Sequence, residues 1–324
     1  MPTTNFPYGV SSFGMPLAGG GYPAITQQVG RYFFVDATNG FDGNDGLSWD
    51  TAVKTIAQAY SLVTSNRDDV IVLSTYDVHT LTEMLTISKN RVHFVGDIYG
   101  RHFGQRARIY MATTTATTDI HMVKNLGVGN TFNGIKFWNA NALTQNTSCV
   151  AEGGEYAVYR NCEFYDSTKL TSDTHAELIL GGDSASFYSC TFGSLADAVT
   201  GDKIRPAVLV DGSEIASGAG TSRDIYFENC KFWKKAGGTA TVFIKIVANA
   251  DLERAMEIKN CTFIASPQGS TPAVAIASAT LTGSYVFLTG DTIACNCTKI
   301  ATATGIFNGT PQIVATATIA LQAT

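Results

Sequence analysis

Short apolar runs alternate with polar turns along this chain, and one five-residue phrase returns again and again. Asn133-Gly134-Ile135-Lys136-Phe137, Arg160-Asn161-Cys162-Glu163-Phe164, Tyr188-Ser189-Cys190-Thr191-Phe192, Glu228-Asn229-Cys230-Lys231-Phe232 and Lys259-Asn260-Cys261-Thr262-Phe263 share a form: a small or aliphatic residue, one intervening residue, then Phe. In extended backbone the residues at i and i+2 share a face. Ile135, Phe137, Cys162, Phe164, Cys190, Phe192, Cys230, Phe232, Cys261 and Phe263 therefore form a predicted core ladder, while Lys136, Glu163, Thr191, Lys231 and Thr262 face water. The central residues recur after 27, 28, 40 and 31 positions, and a degenerate sixth copy centres on Ile293 with Cys295 two residues on. A repeat of this length, each copy too small to bury its own apolar face, is stabilised by stacking on its neighbours. The pattern predicts an all-β parallel solenoid, a β-helix.

Earlier apolar runs fit as irregular first coils: Val70-Ile71-Val72-Leu73, Met84-Leu85-Thr86-Ile87, Val92-His93-Phe94-Val95 and Arg108-Ile109-Tyr110. Counting roughly 27 residues per coil gives about nine coils and a rod about 40 Å long at the spacing of paired strands. Upstream, Val53, Ile56, Ala59, Tyr60 and Val63 recur at helical spacing within 49–63, which predicts an N-terminal cap helix. The expected organisation is an extended arm over 1–30, a capping strand, loop and helix over 31–66, coils over 67–263, and final coils with an assembly segment over 264–324.

Charge sharpens those boundaries. The 324 residues carry 22 Lys+Arg and 27 Asp+Glu, a net charge of −5. Residues 1–30 have no charge, and after Ile264 only Asp291 and Lys299 are charged. The mild acidity offers no footprint for nucleic acid, and no run of about 18 apolar residues is present to span a membrane. Pro2, Pro7, Pro16, Pro23 and the run Gly19-Gly20-Gly21 keep the first segment extended, while Phe6, Tyr8, Val10, Phe13, Met15, Leu17 and Tyr22 make it an arm that docks. The Ala/Thr/Ile/Val-rich end, including Ile313 to Leu321, reads either as a self-association surface or as last coils with a Thr-rich wet face.

Candidate chemistry is sparse. The cysteines 149, 162, 190, 230, 261, 295 and 297 include no CxxC pair, and four share one core position, so buried reduced thiols are expected and no metal or cofactor. His79, His93, His102, His121 and His175 are scattered, and Asp42-Gly43-Asn44-Asp45-Gly46 reads as a turn before the cap helix. The densest acidic stretch holds Asp166, Asp173, Glu177, Asp183, Asp197, Asp202, Asp211 and Glu214, with Arg205 nearby. Asp183 and Asp211 would fall on adjacent rungs with Glu177 close by, an arrangement glycoside chemistry needs, but solvated loop carboxylates are the default and no catalytic residue is assigned. Trp138, Tyr165 and Trp233 follow the inward Phe of their coils. They suit stacking on sugar rings or packing in turns.

The stretch from Tyr32 to Gly40, the loop Asp42 to Trp49 and then Thr51-Ala52-Val53-Lys54-Thr55-Ile56, taken with the Asn-Cys-x-Phe coils, resembles pectate-lyase-like right-handed β-helix proteins. The resemblance covers roughly 31–300 and implies a right-handed, single-stranded parallel β-helix. It includes polysaccharide enzymes, phage tailspikes and structural proteins, so it implies no activity. The phrase Thr4 to Pro16 is similar to the N-terminus of tailed-bacteriophage virion structural proteins, especially head-associated ones. That similarity implies capsid contact through Asn5, Phe6, Pro7, Tyr8, Val10, Phe13, Met15 and Pro16, with the major capsid protein as partner and a homotrimer by family tendency. The expected function is thus a non-enzymatic capsid decoration protein of a virion. The alternative is a tailspike whose β-helix binds or cleaves surface polysaccharide.

Overall fold

A computed structural model describes residues 11–12, 15–16, 30–97, 106–112, 120–141, 147–167, 174–198, 205–215 and 221–301. Its strands form three parallel sheets, of nine, eight and eight members, and each circuit of the chain adds one strand to each sheet in turn. One coil, for example, runs through Val158–Arg160 in the first sheet, Glu163–Asp166 in the second and Ala176–Leu180 in the third. The described residues complete eight such coils, against the nine expected, and the ninth strand of the first sheet, Tyr32–Val35, lies ahead of them at the N-terminal end. The solenoid winds right-handed, the hand of parallel crossovers.

The repeated phrase is the corner between the first and second sheets. One residue turns the chain there in the left-handed region: Gly134 (φ 69°), Asn161 (51°), Ser189 (54°), Asn229 (55°) and Asn260 (51°). Asn and Gly tolerate that conformation best. Each corner N–H donates to the carbonyl of the next coil, as in Asn161 N to Tyr188 O (3.0 Å) and Asn229 N to Lys259 O (3.0 Å). The cysteine after the corner points inward, and its thiol donates to two carbonyls, one of its own coil and one of the coil before. Cys261 Sγ lies 3.2 Å from Lys259 O and 3.6 Å from Phe227 O, and it accepts from Cys230 N at 3.4 Å. In the last described coil Thr292 occupies this place, bonding Thr289 O and Ile258 O and accepting from Cys261 N. The sixth copy thus aligns on Thr292, with Ile293 beside Thr262, rather than centring on Ile293.

Inside, two columns of rings run along the axis. Phe137, Phe164, Phe192, Phe232 and Phe263 stack at 5.2, 4.8, 5.1 and 4.7 Å between centroids. A second column from the first sheet, Phe94, Phe132, Tyr159, Phe187 and Phe227, stacks at 5.1, 4.6, 5.0 and 4.8 Å. The columns meet edge to face, as at Phe187 and Phe192 (5.7 Å, 70°). Ile135, Cys162, Cys190, Cys230 and Cys261 are fully buried beside them.

At the N-terminal end the helix is Ile56–Leu62, shorter than the apolar spacing suggested. Val53 instead bridges to Val35, and the Asp42 carboxylate accepts from Lys54 N and Thr55 N (2.9 and 2.8 Å), which starts the helix at its Thr55 cap. Lys89 Nζ donates to the carbonyls of Tyr60 and Val63 at the other end of the helix. The sequence 42–46 is therefore a cap-forming turn.

The thiol ladder makes a direct prediction. Cys261→Thr keeps a donor of similar volume and should fold with stability within about 1 kcal/mol of the parent. Cys261→Val keeps volume but removes the donor and should cost about 1–3 kcal/mol. Urea titration of the two variants checks the difference.

Candidate functional site

The outer face of the second sheet carries the most distinctive surface. Strand parity places Arg108 and Tyr110, then Lys136 and Trp138, and Glu163 and Tyr165 outward on successive coils, and Lys231 and Trp233 two coils further on. Register sets them in two columns. Tyr110, Trp138 and Tyr165 are direct neighbours, the column then passes Gly193, and Trp233 follows. Arg108, Lys136, Glu163 and Lys231 run alongside, while Thr191, in register between Glu163 and Lys231, is buried rather than facing water as expected. Ring centroids are 4.9 Å apart for Tyr110 and Trp138 and 6.1 Å for Trp138 and Tyr165.

This strip is held in place. Lys136 Nζ is 2.8 Å from Glu163 Oε1 and lies over the rings of Tyr165 (4.7 Å) and Trp138 (5.7 Å). The Trp138 indole N–H donates to Ser167 Oγ at 3.1 Å. Buried Arg106 donates to Asn161 O at 2.7 Å and meets the second oxygen of Glu163 at 3.2 Å. At Gly193 (φ 83°) a side chain would strike Trp233 O, so the column has a gap one residue wide. The arrangement offers flat apolar faces, a polar row in step with them, and cations at Arg108, Lys136 and Lys231 against the single carboxylate of Glu163, which already has two partners.

Beneath this gap the solenoid interior holds charge. Arg205 is 3.0 Å from Asp166 and 3.8 Å from Glu177, and Lys234 Nζ donates to both oxygens of Glu177 at 2.7 and 2.8 Å, all four side chains being at most 4% exposed. Burial opposes the Arg205 charge, but Asp166 and Glu177 outweigh it and raise its pKa. Burial lowers that of Lys234 against the pull of Glu177. Two acids and two bases make a neutral set, the condition under which interior charges are tolerated. Asp183 and Asp211 do not share a site with Glu177 as expected. Asp183 pairs with Arg223 (2.8 Å) at the corner before the first sheet, and Asp211 caps the short helix Gly212–Glu214. Lys234 was readable from sequence, since it lies two residues after Phe232 on the core-facing parity.

A second buried acid, Glu152, accepts from Tyr159 Oη (2.5 Å), Asn125 Nδ2 (2.9 Å) and Gly154 N (2.8 Å). Burial raises its pKa to about 7 despite these bonds. His79, His93 and His121 are buried and bonded to Ser74 O, to Thr131 and Asp68, and to Ser148 and Thr147. His175 is buried, and His102, Asp173 and Asp202 lie outside the described residues. Apart from Asp166 and Glu177, which meet at Arg205, the expected acidic and histidine candidates among the described residues are dispersed. Of the predicted arm contacts, Asn5, Phe6, Pro7, Tyr8, Val10 and Phe13 lie outside the described residues. Met15 and Pro16 form a two-residue antiparallel pairing with Ser11–Ser12. Residues 302–324, including the run from Ile313 to Leu321, also lie outside them.

No protein-family model matches the sequence, and a search of curated proteins found no match. In structure the chain is similar to pectin methylesterase PemA from Erwinia chrysanthemi (13% identity, TM-score 0.55, 87% of this chain and 94% of that one). It is similar also to pectate lyase Pel9A (11% identity, TM-score 0.55, 80% of this chain and 63% of that one). The Dettilon tailspike protein matches at 14% identity and a TM-score of 0.37, over 78% of this chain and 55% of that one. At the level of fold, the chain is a right-handed parallel β-helix, the fold it shares with that pectin methylesterase and that pectate lyase.

These findings overturn the expectation of a non-enzymatic chain, because proteins sharing the frame include polysaccharide-active enzymes. That expectation came from seeing no carboxylate constellation along the sequence. A solenoid brings residues of different coils together, as Asp166 and Glu177 of one coil meet Arg205 of the next and Lys234 of the one after.

Glu152 gives a test of the interior. Its folded pKa of about 7 stands above the ordinary 4.5, so the folded chain holds this proton more tightly than the unfolded one. The sign follows: this contribution to stability is greatest below the ordinary value and is lost as pH rises through about 7. Glu152→Gln, which stays neutral, should flatten that slope, so that its stability relative to the parent rises by about 3 kcal/mol between acid and alkaline pH. Denaturant melts across the range check it.

Proposed function

We propose that this protein is a polysaccharide-binding β-helix that grips an acidic glycan along the outer face of its second sheet. The observation that carries this reading is the column Tyr110, Trp138, Tyr165 and, past Gly193, Trp233 beside the row Arg108, Lys136, Glu163 and Lys231. Sugar rings present C–H faces that lie against aromatic rings, and hydroxyls and carboxylates that need donors at the edge. The strip supplies both in order along the axis on the coils of Tyr110, Trp138 and Tyr165, and again at Trp233 beyond the break at Gly193, so an extended chain of sugars meets a similar surface on successive coils up to that break. Cations outnumber acids on it although the whole chain is acidic, which favours an acidic glycan. The same fold in pectin methylesterase and pectate lyase supports the choice of ligand class.

In this reading the virion role implied by the N-terminal phrase is that of an attachment spike rather than a shell cement. The shaft carries the recognition, and the arm belongs to the end facing the particle.

Affinity electrophoresis against a panel of acidic and neutral bacterial surface polysaccharides tests the proposal, with the same gels reporting any shortening of the glycan. The full chain should be retarded by an acidic polysaccharide, less so as salt rises. Trp138→Ala should weaken retention about tenfold, equivalent to about 1.4 kcal/mol. Arg254→Ala, in strand Leu252–Lys259 of the first sheet and so off the strip, should leave it unchanged. Absence of retardation by every polysaccharide, or equal retention of Trp138→Ala, overturns the reading.

A further inference from the structure

Among the described residues Lys234 is the one buried lysine. Core-facing parity in strand Lys231–Lys235 turns its side chain inward, where it reaches Glu177 of strand Ala176–Leu180, 57 positions earlier and two coils back. Nζ lies 2.7 Å from one carboxyl oxygen and 2.8 Å from the other, and both side chains are 4% exposed. An amine held this close to both oxygens stands about 3 Å from the carbon between them, the range from which a nucleophile attacks. In water such a pair stays ammonium and carboxylate, and the carboxylate carbon resists attack. Inside the solenoid, burial lowers the Lys234 pKa and so favours the neutral amine, and the short contact gives its proton a carboxyl oxygen to move to. Arg205 completes the setting. Its guanidinium is 3.8 Å from the Glu177 oxygen that Lys234 also meets, so it faces the atom on which negative charge develops when the carboxyl carbon becomes tetrahedral. Asp166, 3.0 Å away, balances that guanidinium.

We propose that Lys234 and Glu177 condense in the folded chain to an isopeptide bond, a covalent staple across the solenoid interior. A proton passes from Nζ to a Glu177 oxygen, and the amine then attacks Cδ to form the N–C bond. A second proton moves from the nitrogen to the hydroxyl, the C–O bond breaks, and water leaves. Ammonium plus carboxylate thus become amide plus water, nothing is oxidised or reduced, and no further reactant enters. The step removes one cation and one anion from the interior and leaves Arg205 with Asp166 as a neutral pair, which lessens the cost of interior charge. Folding supplies the proximity, since in the unfolded chain the two groups are 57 positions apart. The bond ties the second sheet to the third across two coils and closes a long loop, the kind of link that most restricts the unfolded chain. The inference does not depend on the glycan reading.

Intact mass spectrometry of the full chain under denaturing conditions tests the proposal. The parent should be lighter than its sequence by one water, and proteolysis should release a branched peptide that joins the Lys234 segment to the Glu177 segment. Lys234→Arg, which keeps the charge but not the amine, and Glu177→Leu, which removes the carboxyl, should each show the full mass of their sequences. A parent at its full sequence mass overturns the inference, and that reading requires no variant to fold. A loss of water that persists in both variants or is reversed by mild base also overturns it, by assigning the loss to a cyclic imide at an Asp-Gly step such as Asp42-Gly43, Asp45-Gly46 or Asp211-Gly212.

Discussion

Ring-on-ring stacking between successive coils is the constraint on which this solenoid depends. A strand of three to five residues cannot bury an apolar face alone, so each coil is stable only when its inward rings find rings above and below. The two columns, Phe137 to Phe263 and Phe94 to Phe227, satisfy that condition at centroid distances of 4.6–5.2 Å. Each contact adds about 0.5–1.5 kcal/mol beyond the area it buries. Because strand pairs are spaced about 4.8 Å apart, stacked rings and paired backbones demand the same axial step. A slip of one residue would expel the whole interior set. The left-handed corner at Asn161, Ser189, Asn229 and Asn260 keeps the two columns in step, and the thiols behind it bond carbonyls of their own and the preceding coil.

What the interior sets, the exterior inherits. Residues alternate across a strand, so a register locked by Phe137, Phe164 and Phe232 also aligns Trp138, Tyr165 and Trp233 on the outside. Regular spacing of the outer aromatic column is thus a by-product of core packing. Lys136, shared between two rings and Glu163, and Ser167 on the Trp138 indole add local stiffness. A surface ordered before any ligand arrives loses little entropy on binding. The gap at Gly193 breaks the repetition between Tyr165 and Trp233, and below it lies the neutral set of Asp166, Glu177, Arg205 and Lys234.

Much of this was legible in the chain. The Cys-x-Phe phrase identified the second sheet and one ring column, and the helical spacing near Ile56 located the cap. The other ring column was also present, as an aromatic residue three positions before Cys at Tyr159, Phe187 and Phe227. It goes unnoticed when the phrase is taken to begin at the corner, because the corner conceals that a strand precedes it. The aromatic residues of the strip stood out as possible sugar contacts, yet their order did not, since Gly193 is an unremarkable glycine until register places it between Tyr165 and Trp233.

The sequence by itself determined the repeat, the inward parity of each strand and the burial of Cys149, Cys162, Cys190, Cys230 and Cys261, because alternation and a recurring corner are local properties of the backbone; Cys295 and Cys297, expected to be buried with them, are exposed and half-buried in the last described coil. Only the tertiary structure decided that Thr292 continues the cysteine column, that Asp183 and Asp211 lie apart from Glu177, and that Arg205 and Lys234 neutralise Asp166 and Glu177 inside the coil. The reason is physical. Coil lengths vary with their turns, so the residues that meet across coils are separated by intervals no fixed period predicts. A buried charge is tolerable only through the partner that such an interval brings to it.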